Sequence, residues 1–251
     1  MQLVLLTALG VGGATVIGSV LGFAFKKITH RFSDIVLSIA AGVMLCAAVV
    51  GLIMPSLEYN GSMPLLITIG GILCGAVCLN LMDKLVPHLH RLAGVEQESH
   101  PESSARVNKV MLFVMAIAIH NLPEGIAAGV SFGSGNNAHA LSIAAGIALQ
   151  NIPEGMVIIA PMLSAGMSPG RTFLCAAATG IVEVLGTLLG YFAVSISTAI
   201  LPFGLAFAGG TMLYVISDEM IPETHHDGAR GATYALLAGF CLMLAMHFFL
   251  E

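Results

Sequence analysis

The chain has 251 residues, 57% hydrophobic and only 9% charged, with a mean hydropathy of +0.94 and a formal net charge of -5. Soluble domains carry roughly a quarter charged residues, so this composition excludes an ordinary water-soluble fold and describes an integral membrane protein. Acids outnumber Lys and Arg by 14 to 9, and no nucleic-acid partner is expected; the expected partner is the lipid bilayer.

A helix needs about 20 apolar residues to cross the hydrocarbon core. Eight runs meet that length: 3–25, 34–55, 64–86, 110–132, 140–162, 171–194, 200–218 and 231–250. The expected fold is therefore an all-α membrane protein of eight transmembrane helices, one domain over 1–251. The first run has no basic residue ahead of it and Lys26 and Lys27 behind it, which reads as a span and not as a secretory signal. Gly and Pro punctuate the joints, as in Gly61-Ser62-Met63-Pro64 and Ser168-Pro169-Gly170. The interval 87–109 is charged, contains His88, His90 and His100, and reads as a loop between spans three and four.

The basic residues test the count. Lys26, Lys27 and Arg31 fall between spans one and two, and Lys84, Arg91, Arg106 and Lys109 flank the 87–109 loop. Arg171 follows span five and Arg230 precedes span eight. All nine lie on one side if the chain alternates. Cytoplasmic loops collect Lys and Arg, so both termini are expected outside and the 87–109 loop inside. The lack of a large outer domain points to a bacterial inner membrane. Span two reads Gly42-Val43-Met44-Leu45 before Pro55 and Glu58, and span seven reads Gly210-Thr211-Met212-Leu213 before Pro222-Glu223. Such inverted similarity suggests a 3+2+3 arrangement, with spans 1–3 and 6–8 as inverted repeats around spans four and five.

The chemistry concentrates in those central spans. Span four carries His120-Asn121-Leu122-Pro123-Glu124-Gly125 and span five carries Gln150-Asn151-Ile152-Pro153-Glu154-Gly155. Residues four apart share a helix face, so His120 lies above Glu124 and Gln150 above Glu154. Each Pro removes a backbone donor and frees carbonyls one turn back. Span six adds Glu183 at similar depth. An acid at the bilayer centre costs roughly 2.5–3.5 kcal/mol, and no Lys or Arg lies within the central parts of the spans. Protons or cations must then neutralise the group. One imidazole with carboxylate and amide oxygens suits a borderline divalent ion such as zinc, iron or manganese.

The paired motifs resemble the signature of the ZIP (Zrt/Irt-like protein) metal transporters, and Gln150 in the second copy resembles the GufA-like branch. The resemblance runs through nearly the whole chain. It implies transport of divalent metal, zinc foremost and also Fe2+, Mn2+, Cd2+, Co2+ or Ni2+, toward the cytosol. It further implies a binuclear centre: His120, Glu124, Gln150 and Glu154 at one site, Asn121, Asn151 and Glu183 at the other, with Glu124 and Glu154 bridging. Asp83, His88, His90, Asp218 and Glu219 correspond to an inner exit path, and a homodimer is implied. Two other classes share some features: an intramembrane metal-dependent hydrolase, which usually needs more imidazoles than one, and a metal sensor without flux.

The remaining candidates are peripheral. Cys46, Cys74, Cys78, Cys175 and Cys241 all fall in apolar runs and read as packing residues, with metal binding open for Cys74 and Cys78. His225 and His226 fall in an inner loop, His30 at the interface, and His139 and His247 near the outer surface, where they could gather cations.

Overall fold

The computed structural model describes residues 1–24, 30–59, 61, 63–92, 102–225 and 230–250, with the side chains at 30, 85–92, 102–110, 112 and 113 excepted. Eight long helices follow one another: α1 Gln2–Ala24, α2 Arg31–Glu58, α3 Pro64–Leu92, α4 Glu102–Ser131, α5 Asn137–Ser164, α6 Pro169–Ile196, α7 Thr198–Thr224 and α8 Arg230–Leu250. All except α4 qualify by length and composition as membrane-crossing among the described residues. The 30 residues of α4 reach about 45 Å at 1.5 Å per residue, longer than the hydrocarbon core. Leu6, Leu9, Leu66, Leu73, Ile181, Leu189 and Phe248 point outward, which suits a surface solvated by lipid tails.

The helices outrun the apolar segments that announce them. In particular α3 continues to Leu92 and α4 starts at Glu102, so much of the interval 87–109 is helical and not loop. Charged residues end an apolar run but do not end a helix, because Glu, Arg and Lys are good helix formers. Residues 93–101, with His100, lie outside the described residues.

The packing sorts the helices into two groups of four. In one, α4 packs along α6 and α1 along α5, with α1 against α6 and α4 against α5. In the other, α3 packs along α7 and α2 along α8, with α2 against α7. Exchanging α1 with α6, α2 with α7, α3 with α8 and α4 with α5 maps α4–α6 onto α1–α5 and α3–α7 onto α2–α8, and returns the other pairings to themselves. That is the expected inverted repeat, and the packed bundles are α1–α4–α5–α6 and α2–α3–α7–α8, each drawing helices from both repeats.

Residue chemistry follows the same symmetry. Thr15 and Glu183 are 168 positions apart, and at that spacing Gly12, Gly18, Ser19 and Gly22 correspond to Gly180, Gly186, Thr187 and Gly190. Ser19 donates to the Thr15 carbonyl at 2.8 Å, and Thr187 donates to the Glu183 carbonyl at 2.9 Å. The helices also wind alike: α2 opens into π turns over Ala47–Ile53 before Pro55, and α7 over Ile216–Met220 before Pro222. A proline without an N–H perturbs the hydrogen-bond ladder one turn back, and the wider π turn absorbs the offset.

Small residues let these helices touch backbone to backbone. A Cβ on Gly186 would meet the Leu122 carbonyl, and one on Gly190 the Ile126 carbonyl, whereas Gly70 faces open space. Gly186→Ala should therefore cost about 1–3 kcal/mol through overpacking and lower the thermal midpoint of the purified protein. Gly70→Ala should leave it unchanged; equal midpoints for the two variants would refute the close α4–α6 crossing.

Candidate metal centre

The two motifs sit mid-helix on α4 and α5, with Pro123 and Pro153 inside continuous helices. The glycine that ends each motif sets its position. A Cβ on Gly125 would strike the Glu183 carbonyl of α6, and one on Gly155 the Thr15 carbonyl of α1. Only glycine permits both approaches, so each motif is pressed against the neighbouring helix at the level of Glu183.

Glu183 is fully buried and its carboxylate accepts from three sides. Thr15 Oγ1 donates to Oε1 at 2.6 Å, Asn121 Nδ2 to Oε1 at 2.5 Å, and Asn151 Nδ2 to Oε2 at 2.5 Å. The asparagines also mirror each other: Asn121 Nδ2 reaches the Thr179 carbonyl at 3.4 Å, and Asn151 Nδ2 the Val11 carbonyl at 3.2 Å. An ionised carboxylate only accepts, so the amide nitrogens must face it and the amide oxygens must turn away. A turn along α4, Gln150 Nε2 donates to Glu124 Oε1 at 2.9 Å.

This orientation leaves acceptors without donors. Asn121 Oδ1, Asn151 Oδ1, Gln150 Oε1 and Glu124 Oε2 are all buried and receive no hydrogen bond. An unsatisfied buried acceptor costs about 1–3 kcal/mol. A site rich in oxygen acceptors and poor in donors is the surrounding a divalent cation takes.

His120 projects from α4 in another direction. Its Nε2 lies 2.9 Å from Glu219 Oε1 on α7 and 3.5 Å from Asp83 Oδ1 on α3. Among the described residues these three are the one group of at least three His, Cys, Asp or Glu ligand atoms lying within 4.8 Å of one another. The imidazole therefore joins two acids assigned by resemblance to the exit path, and it spans both bundles. Asn121, Asn151 and Glu183 do come together, as do Glu124 and Gln150, while Glu124, Glu154 and Glu183 do not form such a group.

A cavity of about 390 Å3 joins Glu124 of the first motif to His120 and Glu219. His120, Glu124 and Glu154 line it together with Asp218 and Glu219, and Asp34 and Glu223 extend it toward the start of α2 and the end of α7. Six carboxylates thus face one space with no Lys or Arg among its lining residues. Asp218 and Glu219 fall within the π turns of α7, where the wider winding lets adjacent side chains share one face.

Several lining residues escape a reading of motifs. Asp34 and Glu223 belong to no signature; their only signal is an acid beside an apolar run. Thr15 is an ordinary threonine in an apolar helix, and only its correspondence with Glu183 marks it. His88 and His90 have side chains outside the described residues, and His226 lies outside them altogether. His225 acts as a helix stop: Nδ1 lies 2.9 Å from the Ile221 carbonyl and Nε2 3.3 Å from Thr233 Oγ1, tying α7 to α8. All five cysteines are free thiols, Cys74 exposed on the outer face of α3 and Cys78 partly so.

The family model described as ZIP Zinc transporter matches residues 87–247. The chain belongs to the ZIP family. Curated relatives agree across the length of this ZIP protein. It is 41% identical over 202 residues to the zinc transporter GufA of Myxococcus xanthus, covering 78% of each chain. It is 37% identical over 238 residues to the zinc transporter ZIPB of Bordetella bronchiseptica, covering 92% of this chain and 76% of the relative. It is 32% identical over 252 residues to the zinc transporter ZupT of Chlorobaculum parvum, covering 95% and 94%. The family is one of transporters, not of enzymes.

The hydrogen bonds at Glu183 give a direct test. Thr15→Val keeps the shape of the side chain and removes one of three donors to a buried carboxylate, a loss of about 1–3 kcal/mol. The thermal midpoint of purified Thr15→Val should fall, and Thr15→Ser should restore most of it. A Thr15→Val midpoint equal to that of the unaltered protein would show that the contact contributes nothing.

Proposed function

We propose that this ZIP protein carries divalent metal, zinc foremost, into the cytosol along the anionic cavity between its two bundles. The observation that carries this reading is the lining: six carboxylates and one imidazole around a single space, without a Lys or Arg among them. An isolated acid near the bilayer centre costs roughly 2.5–3.5 kcal/mol, so this concentration of acids is retained for what it binds. The relatives' names, zinc transporters in each case, give the cargo.

In this proposal all eight helices cross the membrane, α4 included. The termini lie outside, because the nine basic residues gather on the side of the α1–α2, α3–α4, α5–α6 and α7–α8 joints. The cavity mouth at Asp34 and Glu223 then opens to the cytosol, and the host membrane is a bacterial inner membrane. The cargo first meets Glu124, Gln150, Glu154 and His120, with Asn121, Asn151 and Glu183 as the adjoining site. The unsatisfied oxygens of Asn121, Asn151, Gln150 and Glu124 support that assignment, since they offer lone pairs without moving the amide nitrogens that brace Glu183.

His120 is the transfer point in this scheme. It shares the cavity with Glu124 and Glu154 and already touches Asp83 and Glu219, so turning one imidazole passes the ion from mid-helix toward the exit. Asp218 continues that exit. Exposed carboxylates release an ion more readily than buried ones, because water competes for the metal and screens its charge. Motion of one bundle against the other exposes the site alternately to each side.

The test is zinc flux into proteoliposomes. Glu124→Ala and Glu154→Ala should each lower zinc uptake by at least about tenfold, the loss of roughly 1.4 kcal/mol or more of cargo stabilisation. Both variants should elute from size exclusion as the unaltered protein does. Undiminished uptake by either correctly folded variant sinks the assignment of the cavity as the transport path.

A further inference from the structure

We propose a second metal site, at the end of the molecule opposite the cavity mouth, where His139 of α5 and His247 of α8 hold a borderline divalent cation such as zinc between the two bundles. The two imidazoles have ring centroids 6.0 Å apart and planes inclined at 73°. A zinc–imidazole bond is about 2.0–2.1 Å long, so two histidines sharing one ion have ring centres about 5–6 Å apart. A small rotation of either side chain closes the difference.

Both residues are held in place by their surroundings. Asn136 caps α5, its Oδ1 accepting from the Ala138 and His139 backbone N–H groups at 3.0 and 3.2 Å. The His139 backbone is thus fixed at the helix start, and its side chain is only 7% exposed. His247 lies in the last turn of α8, half-buried. Deeper along the same contact, Gly146 leaves room for the Met243 side chain, whose Sδ occupies the space that a Cβ on Gly146 would need. That close approach brings the two helix ends together and lets the imidazoles meet.

The location separates this pair from the transport cavity. α5 belongs to the bundle with Glu124, Glu154 and Glu183, and α8 to the other. The α5 start and the α8 end lie opposite the start of α2 and the end of α7, where Asp34 and Glu223 mark the mouth. The turn at Gly135 and Asn136 beside the pair is exposed, and water would complete the coordination of a bound ion. Imidazole selects zinc, nickel or copper over magnesium and calcium, which prefer oxygen.

Binding can be read without transport, so failure here is separate from failure of the flux reading. The purified full-length protein is treated with diethyl pyrocarbonate at increasing zinc, and modification is quantified at each histidine by mass spectrometry. Zinc should protect His247 roughly tenfold at ten times the dissociation constant, and magnesium should not protect it. His139→Gln should move that protection to zinc concentrations about tenfold higher or more, as expected when one of two protein ligands is lost. His247→Gln, altered at a half-buried helix end, should bind one zinc fewer per molecule by elemental analysis. Unchanged His247 reactivity in the unaltered protein with zinc would leave the pair as simple edge-to-face ring packing and overturn the proposal. Equal protection in His139→Gln, or equal zinc content in His247→Gln, would overturn it as well.

Discussion

The structure turns on one buried carboxylate and the donors arranged around it. Glu183 sits where α1, α4, α5 and α6 converge, accepting from Thr15, Asn121 and Asn151. Each donor comes from a different helix, so the network ties a four-helix bundle together at its centre. In a medium without water, a charge is tolerated only when its lone pairs are met. The same demand decides which way the asparagines point, and therefore which of their atoms remain for a cation. The packing of the bundle and the orientation of its amides follow from that single arrangement.

The inverted repeat explains why the donors are where they are. Thr15 and Glu183 occupy corresponding places on α1 and α6, and Asn121 and Asn151 occupy corresponding places on α4 and α5. A strictly symmetric centre would have carried two facing acids or two facing threonines. Two acids would repel at close range in a low dielectric, and two threonines would offer no charge to hold a metal. One of each gives a carboxylate with its own donor at little structural cost. The bundles α1–α4–α5–α6 and α2–α3–α7–α8 draw helices from both halves, so the repeat unit in sequence is not the packed unit in space.

Much of this is legible in the chain. The apolar runs mark all eight helices, and the His/Gln-Asn-x-Pro-Glu-Gly pair marks the centre because acids and amides recur at matching positions where hydrocarbon should exclude them. The likeness of Gly42-Val43-Met44-Leu45 to Gly210-Thr211-Met212-Leu213 reveals the repeat. Other features leave no local trace. Helix ends at Leu92 and Glu102 lie among charged residues that a hydropathy reading assigns to a loop, since hydropathy reports the membrane and not the helix. Asp34 and Glu223 look like interfacial acids until the fold turns them into one cavity. The role of His120 depends on three helices meeting, a fact of tertiary structure that spacing within α4 does not contain.

For the proposed transport, the direction in which His120 points bears on how an ion would leave the centre. A mid-membrane cluster that binds strongly enough to strip water from a divalent cation also tends to trap it. Here the imidazole lines the cavity with Glu124 and Glu154 yet contacts Asp83 and Glu219, so one side chain joins the inner acids to the central ones. An ion moving between overlapping ligand sets exchanges one partner at a time and is never left bare in a low dielectric, where the cost would be largest. The π turns that carry Asp218 and Glu219 onto the same face lengthen that chain of partners toward Asp34 and Glu223. On the proposed route, the closely spaced acids that make the bilayer hostile to this segment would also supply a graded path out of it.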